Sequence, residues 1–197
     1  MKRLAIIGFA VSALLASGCS NNFTKEDAER ITYVSVNPAV EMPEGASFQG
    51  VGAALGPGLV EMIDRAKVSP LEKLITDAGI DVRQMLYDEF VSKLQTTVLQ
   101  PKLRDRAGHE IRLAVVDYGV IKAWGFSMRP LIKARVTMVD AAGREHWKKE
   151  AYIDGFTGKV PARKMEEWEK DPGAFKSAFS DGMRVVVEAL LKGLESP

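Results

Sequence analysis

Few residues in this chain are of a type and spacing that could do chemistry. Cys19 is the only cysteine, and His109 and His146 are the only histidines. One cysteine closes no internal disulfide and builds no thiolate metal site. The histidines belong to neither an HExxH motif nor a pair at helical spacing, so no zinc site is spelled out. Each has a glutamate beside it, Glu110 and Glu145, but strand neighbours point to opposite faces, so neither glutamate serves its own histidine. Both histidines read as solvated loop residues that strand pairing could bring together. No GxSxG occurs, so there is no nucleophile elbow. Asp117 is the one acid set in an apolar strand. A buried carboxylate needs a partner, and Arg112, Lys133 or Arg135 could supply it in a structural role.

Two further segments are chemically suggestive. Gly50-Val-Gly52-Ala-Ala-Leu-Gly56 spaces as GxGxxxG rather than GxGxxG, and no GK[ST] accompanies it. Nucleotide binding is therefore not expected. Gly52 and Gly56 form a GxxxG pair, which lets backbones approach closely. Gly50, Gly52 and Gly56 are candidates for membrane or subunit contact, and a tightly packed turn is the plainer reading. Trp124, Phe126 and Met128 lie in a connection between strands, bounded by Lys122 and Pro130. Large apolar residues there either plug the core or form a contact patch, and interfaces favour Trp, Phe and Met. They are the leading candidate partner surface. Nothing in this set foreshadows catalysis, a metal or a cofactor, so the expectation is a non-enzymatic protein.

The amino terminus says more. Lys2 and Arg3 precede an uncharged, mostly apolar run of twelve residues, Leu4 to Leu15, followed by Ala16-Ser17-Gly18-Cys19. The run fits the ~7–15 residues of a signal-peptide core and falls short of the ~20 that span a bilayer. It resembles the signals of bacterial lipoproteins, with Leu15-Ala16-Ser17-Gly18-Cys19 as the lipobox, although Ala16 stands where those signals most often carry leucine. The resemblance implies cleavage between Gly18 and Cys19, a diacylglyceryl group on the Cys19 sulfur and a third acyl chain on its new amine. Two or more chains hold stably, at about 0.8 kcal/mol per buried methylene. Ser20, in place of an aspartate, implies the outer membrane of a Gram-negative cell, with the domain facing the periplasm.

The chain thus divides into residues 1–18 as a removed signal, 19–30 as a lipidated tether and 31–197 as one domain. After removal of Lys2 and Arg3 the charge is 25 basic against 26 acidic residues, a net of −1. No basic excess points to nucleic acid.

Helices and strands follow from periodicity. Ile31 to Asn37 is rich in β-branched residues and stops at Pro38, which predicts a strand. Pro38, Pro43 and Gly45 then break regular structure. Leu59 to Lys67 is a short helix candidate. Ser69-Pro70-Leu71-Glu72 has the form of a capping box, and Gly79 closes the helix it starts. Asp81 caps the strongest helix, with Val82, Met85, Leu86, Phe90, Leu94 and Val98 at helical period and Pro101 as its end. Ile111, Leu113 and Val115 alternate, then Val116, Tyr118 and Val120 continue on the other parity, predicting a bulge or burial on both faces. Residues 132–138 and 147–153 alternate about the loop Asp140-Ala141-Ala142-Gly143, which predicts an antiparallel hairpin. Asp171-Pro172 opens a last helix striped by Phe175, Phe179, Met183, Val186, Leu190 and Leu194, and residues 162–170 can hold a short one before it. The fold expected is α+β, a two-layer sandwich with a mainly antiparallel sheet of about four strands on two long helices.

That pattern resembles a group of small bacterial lipoproteins without assigned activity, through Val34-Ser35-Val36-Asn37-Pro38, Gly50–Gly58, Gly79-Ile80-Asp81-Val82 and Asp117-Tyr118-Gly119. Its helix–hairpin–helix order is similar to the α+β modules of auxiliary envelope lipoproteins, including TolB amino-terminal-like domains and ABC-transport auxiliary lipoproteins. This is an analogy of fold and transfers no residue role. The function expected is a lipid-anchored module that binds another envelope protein. The alternative is a carrier of lipid or a small apolar ligand, or an auxiliary component of a transport system, with its pocket between sheet and helices.

Overall fold

The β-branched and alternating segments pair as one mixed sheet. The computed structural model describes residues 23–49, 68, 70–105, 108–153 and 158–195. The elements are α1 (Lys25–Arg30), β1 (Val34–Val36), β2 (Ser47–Gln49), helical residues 70–77, α2 (Val82–Leu94), β3 (His109–Lys122), β4 (Met128–Asp140), β5 (Glu145–Tyr152), α3 (Met165–Lys170) and α4 (Pro172–Leu191). Cys19, Gly18, Gly50, Gly52, Gly56, the capping serine Ser69 and the 59–67 helix candidate lie outside the described residues.

β3, β4 and β5 form the expected antiparallel meander. The parity switch is a bulge: Val115 pairs with Ala134 and Asp117 with Lys133, leaving Val116 as the extra residue. A second bulge was not legible in the sequence. Met138 pairs with Trp147 but Val139 with Glu145, so His146 is the extra residue on β5.

The other edge of β3 departs from expectation. β1 and β2 both run parallel to it, making a mixed sheet of five strands where a mainly antiparallel sheet of about four was expected. Val34 starts opposite His109, Glu41 makes a lone bridge to Ala114, and Ser47 lies opposite Gly119. Residues 34–49 therefore form one irregular edge, interrupted around Pro38 and Pro43, where a ladder donor is missing. Gly119 admits β2. A Cβ on it would lie 1.9 Å from the Ser47 carbonyl oxygen, and its φ of +148° disfavours side chains.

Helices cover one face of the sheet. Ile111, Leu113, Val115 and Val120 of β3, Ile132, Ala134, Val136 and Met138 of β4, and Trp147 of β5 are buried against them. α2 starts at Asp81, whose carboxylate accepts from the Gln84 N–H at 3.0 Å, and buries Val82, Leu86, Phe90 and Leu94. It ends there rather than at Pro101, which sits in a separate 3₁₀ turn, Gln100–Lys102. α4 starts with Asp171 accepting from the Ala174 N–H, has Pro172 in its first turn, and buries Phe175, Phe179, Met183, Val186 and Leu190 of its predicted stripe, while Leu194, also buried, lies beyond its end. The two long helices lie together, joined at the surface by Lys93 and Glu188 at 3.1 Å. At Gly182 α4 comes so near the sheet that a Cβ would meet Ile153 Cδ1 at 2.7 Å.

Within the amino-terminal stretch read as a tether, the described residues begin at Phe23. Phe23 stacks on Trp147 with ring centroids 5.3 Å apart. Thr24 and Asp27 then form a capping box for α1, which buries Ala28 and receives Lys102 Nζ on the Ala28 and Glu29 carbonyls. The opposite face of the sheet is charged, with Lys133 and Arg135 both reaching Glu150.

Candidate functional site

The sheet has two ends, and each holds some of the residues singled out from the sequence. The tip of the β3–β4 hairpin carries the aromatic pair. The turn is closed by the Ser127 N–H on the Trp124 carbonyl at 3.1 Å and the Ala123 N–H on the Ser127 carbonyl at 2.8 Å. Gly125 stands between the aromatics at φ +60°, a conformation that side-chained residues rarely adopt. Trp124 is 80% and Phe126 87% exposed, whereas Met128 is only 5% exposed. Met128 therefore belongs to the sheet and not to the exposed patch. The alternation that begins with β4 turns its side chain toward the helices.

α3 forms a wall beside this tip. Met128 and Arg163 exchange backbone hydrogen bonds at 2.7 and 3.0 Å. The buried Trp168 donates Nε1–H to the Met128 carbonyl at 3.2 Å, and its ring lies 5.1 Å beneath the Arg163 guanidinium. Trp168 continues into Phe175 and Phe179, which ties α3 to α4. Between tip and wall lies an open groove of about 670 Å³, floored by Phe48, Met128 and Met165 and edged by Lys122, Lys164, Glu166 and Glu169. Sequence reasoning found Phe126 and Met128 but missed Met165, because a methionine on a short helix carries no sign of which tertiary neighbour it meets.

Beside the tip on the charged face, Arg129 is 8% exposed, and its Nε and Nη1 find no hydrogen-bond partner among the described residues. Asp117 is held differently from expectation. Its oxygens accept from Ser47 Oγ and Gln49 Nε2, both at 2.7 Å, in place of Arg112, Lys133 or Arg135. Asp117 thus fastens β2.

At the far end the histidines do meet. Their ring centroids are 5.2 Å apart, edge to face, because the β5 bulge turns His146 in beside His109. His146 Nε2 lies 3.1 Å from Asp140 Oδ2. Asp140 also accepts from the Ala142 and Arg144 N–H groups and from Arg144 Nε. The His146 hydrogen bond, then the Arg144 backbone, hold its carboxyl far below the usual carboxylate range. Asp140 is occupied in shaping the β4–β5 loop. Among the described residues no group of three or more His, Cys, Asp or Glu could hold a metal ion, and no helix is long and apolar enough to cross a membrane.

No family model matches the chain, and no curated protein matches it. Solved structures with some similarity include protein XCC0632 from Xanthomonas campestris, of family DUF330, at 11% identity over 81% of each chain with a TM-score of 0.47. PelC from Paraburkholderia phytofirmans, a dodecamer, is 10% identical over 85% of this chain and 90% of its own, with a TM-score of 0.42. Lipoprotein GNA1162 from Neisseria meningitidis is 14% identical over 62% of this chain and 81% of its own, with a TM-score of 0.26. None of these likenesses carries a residue role to this chain.

Proposed function

We propose that this chain is a non-enzymatic envelope module, anchored in the outer membrane through acyl chains on Cys19, that binds another envelope protein at the tip of the β3–β4 hairpin. One observation carries the reading: Trp124 and Phe126 are almost fully exposed on a turn that hydrogen bonds and Gly125 hold in one shape. Rigid aromatics lose little conformational freedom on binding, and buried Trp is a frequent hot spot of interfaces. The groove beside them offers an apolar floor between charges of both signs, which fits a protein segment with large apolar side chains flanked by charged ones.

The carrier reading requires room between sheet and helices. The close approach at Gly182 and the buried Phe175 and Phe179 fill that layer, so this reading has less support. Lipid co-purifying with the chain in native mass spectrometry would favour it nonetheless.

The test is photocrosslinking from position 126 in the intact native host. The expected result is one reproducible protein partner, lost when Trp124→Asp is added. Crosslinks only to lipid, only to a second copy of this chain, or to nothing reproducible would overturn the proposal.

A further inference from the structure

Charges that border the groove beside the β3–β4 tip differ from their neighbours that do not. Arg163, outside its lining, pairs with Asp171 at 3.5 Å, and Lys73 pairs with Asp77. Lys122, Lys164, Glu166 and Glu169 border the groove, and among the described residues none of these four makes an ion pair. Backbone pairing puts the two cations at one end. Lys122 stands opposite Met128 across the hairpin, and Met128 exchanges backbone hydrogen bonds with Arg163, the residue before Lys164. The acids follow along α3. Glu166 and Glu169, at i and i+3, share a face of the helix. Glu169 comes five residues after Lys164, about 7.5 Å along the axis. Glu169 and Pro70 also border an adjoining depression of about 310 Å³, with Leu74 and Pro172 in its lining. The groove is thus positive beside the hairpin and negative toward Pro70, over an apolar floor of Phe48, Met128 and Met165.

Charges left unpaired at an apolar rim are available to an incoming group, and such charges fix orientation and reject wrong partners more than they add affinity. A segment laid in the wrong way round meets like charges at both ends. We infer that the groove takes a polypeptide segment in one orientation, with an apolar side chain on the floor, an acidic residue against Lys122 and Lys164, and a basic residue against Glu166 and Glu169. A polypeptide supplies that series at the right spacing: two residues of extended chain cover ~6.6 Å, close to the ~7.5 Å between the ends of the rim. This charge order rests on the partner-binding reading and adds the chemistry by which the partner is chosen.

The test uses the full chain in detergent and three labelled peptides with one apolar centre, Leu-Phe-Leu. One peptide is flanked by Asp-Asp and Lys-Lys, one by Asp-Asp on both sides and one by Lys-Lys on both sides. The mixed peptide should bind about fivefold tighter than either control, as expected of a few exposed ion pairs. Glu166 and Glu169 are exposed, so the double variant Glu166→Lys with Glu169→Lys should fold, and its preference should pass to the doubly acidic peptide. A photocrosslinker at position 126, which borders the groove next to Lys122, should join the acidic half of the mixed peptide. Equal binding of the three peptides, binding of none, an unchanged preference in the double variant, or crosslinks to the basic half would each overturn the charge order. So would a dimer in sedimentation that the double variant dissociates, which would give the groove to a second copy, or phospholipid displaced from the chain by the mixed peptide. The two readings fail separately. If the peptides fail while position 126 still captures a protein in the host, only the charge order is lost; if that capture fails, partner binding is lost whatever the peptides do.

Discussion

Asp140 shows how a single side chain can organise a loop. It sits against two histidines, yet its oxygens are taken up by its own loop and by His146. Its folded pKa lies below the ordinary 3.8. The bonded carboxylate therefore adds stability that is whole above that value and is lost as pH falls through the folded one. Asp140→Asn should lower stability at neutral pH and flatten its decline below about pH 4, which urea titrations across pH will read. Arg129 presents the reverse case, a buried guanidinium with two nitrogens unmet among the described residues. An unpaired buried polar group costs about 1–3 kcal/mol, so Arg129→Met should raise the urea midpoint rather than lower it. A lower midpoint would show that the guanidinium has a partner.

At the level of elements, the sheet tolerates its irregular edge because of Gly119. Gly119→Ala forces a side chain into the Ser47 backbone at a positive φ. It should cost about 1–3 kcal/mol or more and release β2, visible as faster amide exchange over residues 47–49. Gly182→Leu should overpack the layer between α4 and the sheet, at roughly 1–3 kcal/mol in thermal or urea unfolding. The elements themselves were well foreshadowed. Asp81 and Asp171 announced their helices because capping is a local bond, and Val115-Val116 announced its bulge because parity changes side. The pairing of residues 34–49 in parallel with β3 was not legible. Which edge accepts a short strand depends on a partner far along the chain.

Across the whole molecule, exposure separates binding from folding. Trp124→Asp should leave the thermal midpoint nearly unchanged, within the ~0.5 kcal/mol usual for surface substitutions, while capture of the partner falls. A large loss of stability would instead mark the tip as part of the core. The sequence set Trp124, Phe126 and Met128 side by side, and only the packed molecule divides them. Met128 enters the sheet, and its backbone carbonyl receives Trp168. The other two remain outside, beside a groove whose far wall, α3, comes from another part of the chain. His109 and His146 likewise meet only because of a bulge on β5 that no periodicity revealed.

The sequence by itself determined what is local: the starts of α2 and α4, the β4–β5 hairpin, the alternation along the strands, and the sparseness of reactive groups. These follow from chain geometry over a few residues and need no distant partner. Tertiary structure alone decided which edge of β3 is paired, what holds Asp117, and which aromatics stay outside. Each of those depends on contacts between residues far apart in sequence, whose free energy is settled only when the whole sheet and its helices close on one another.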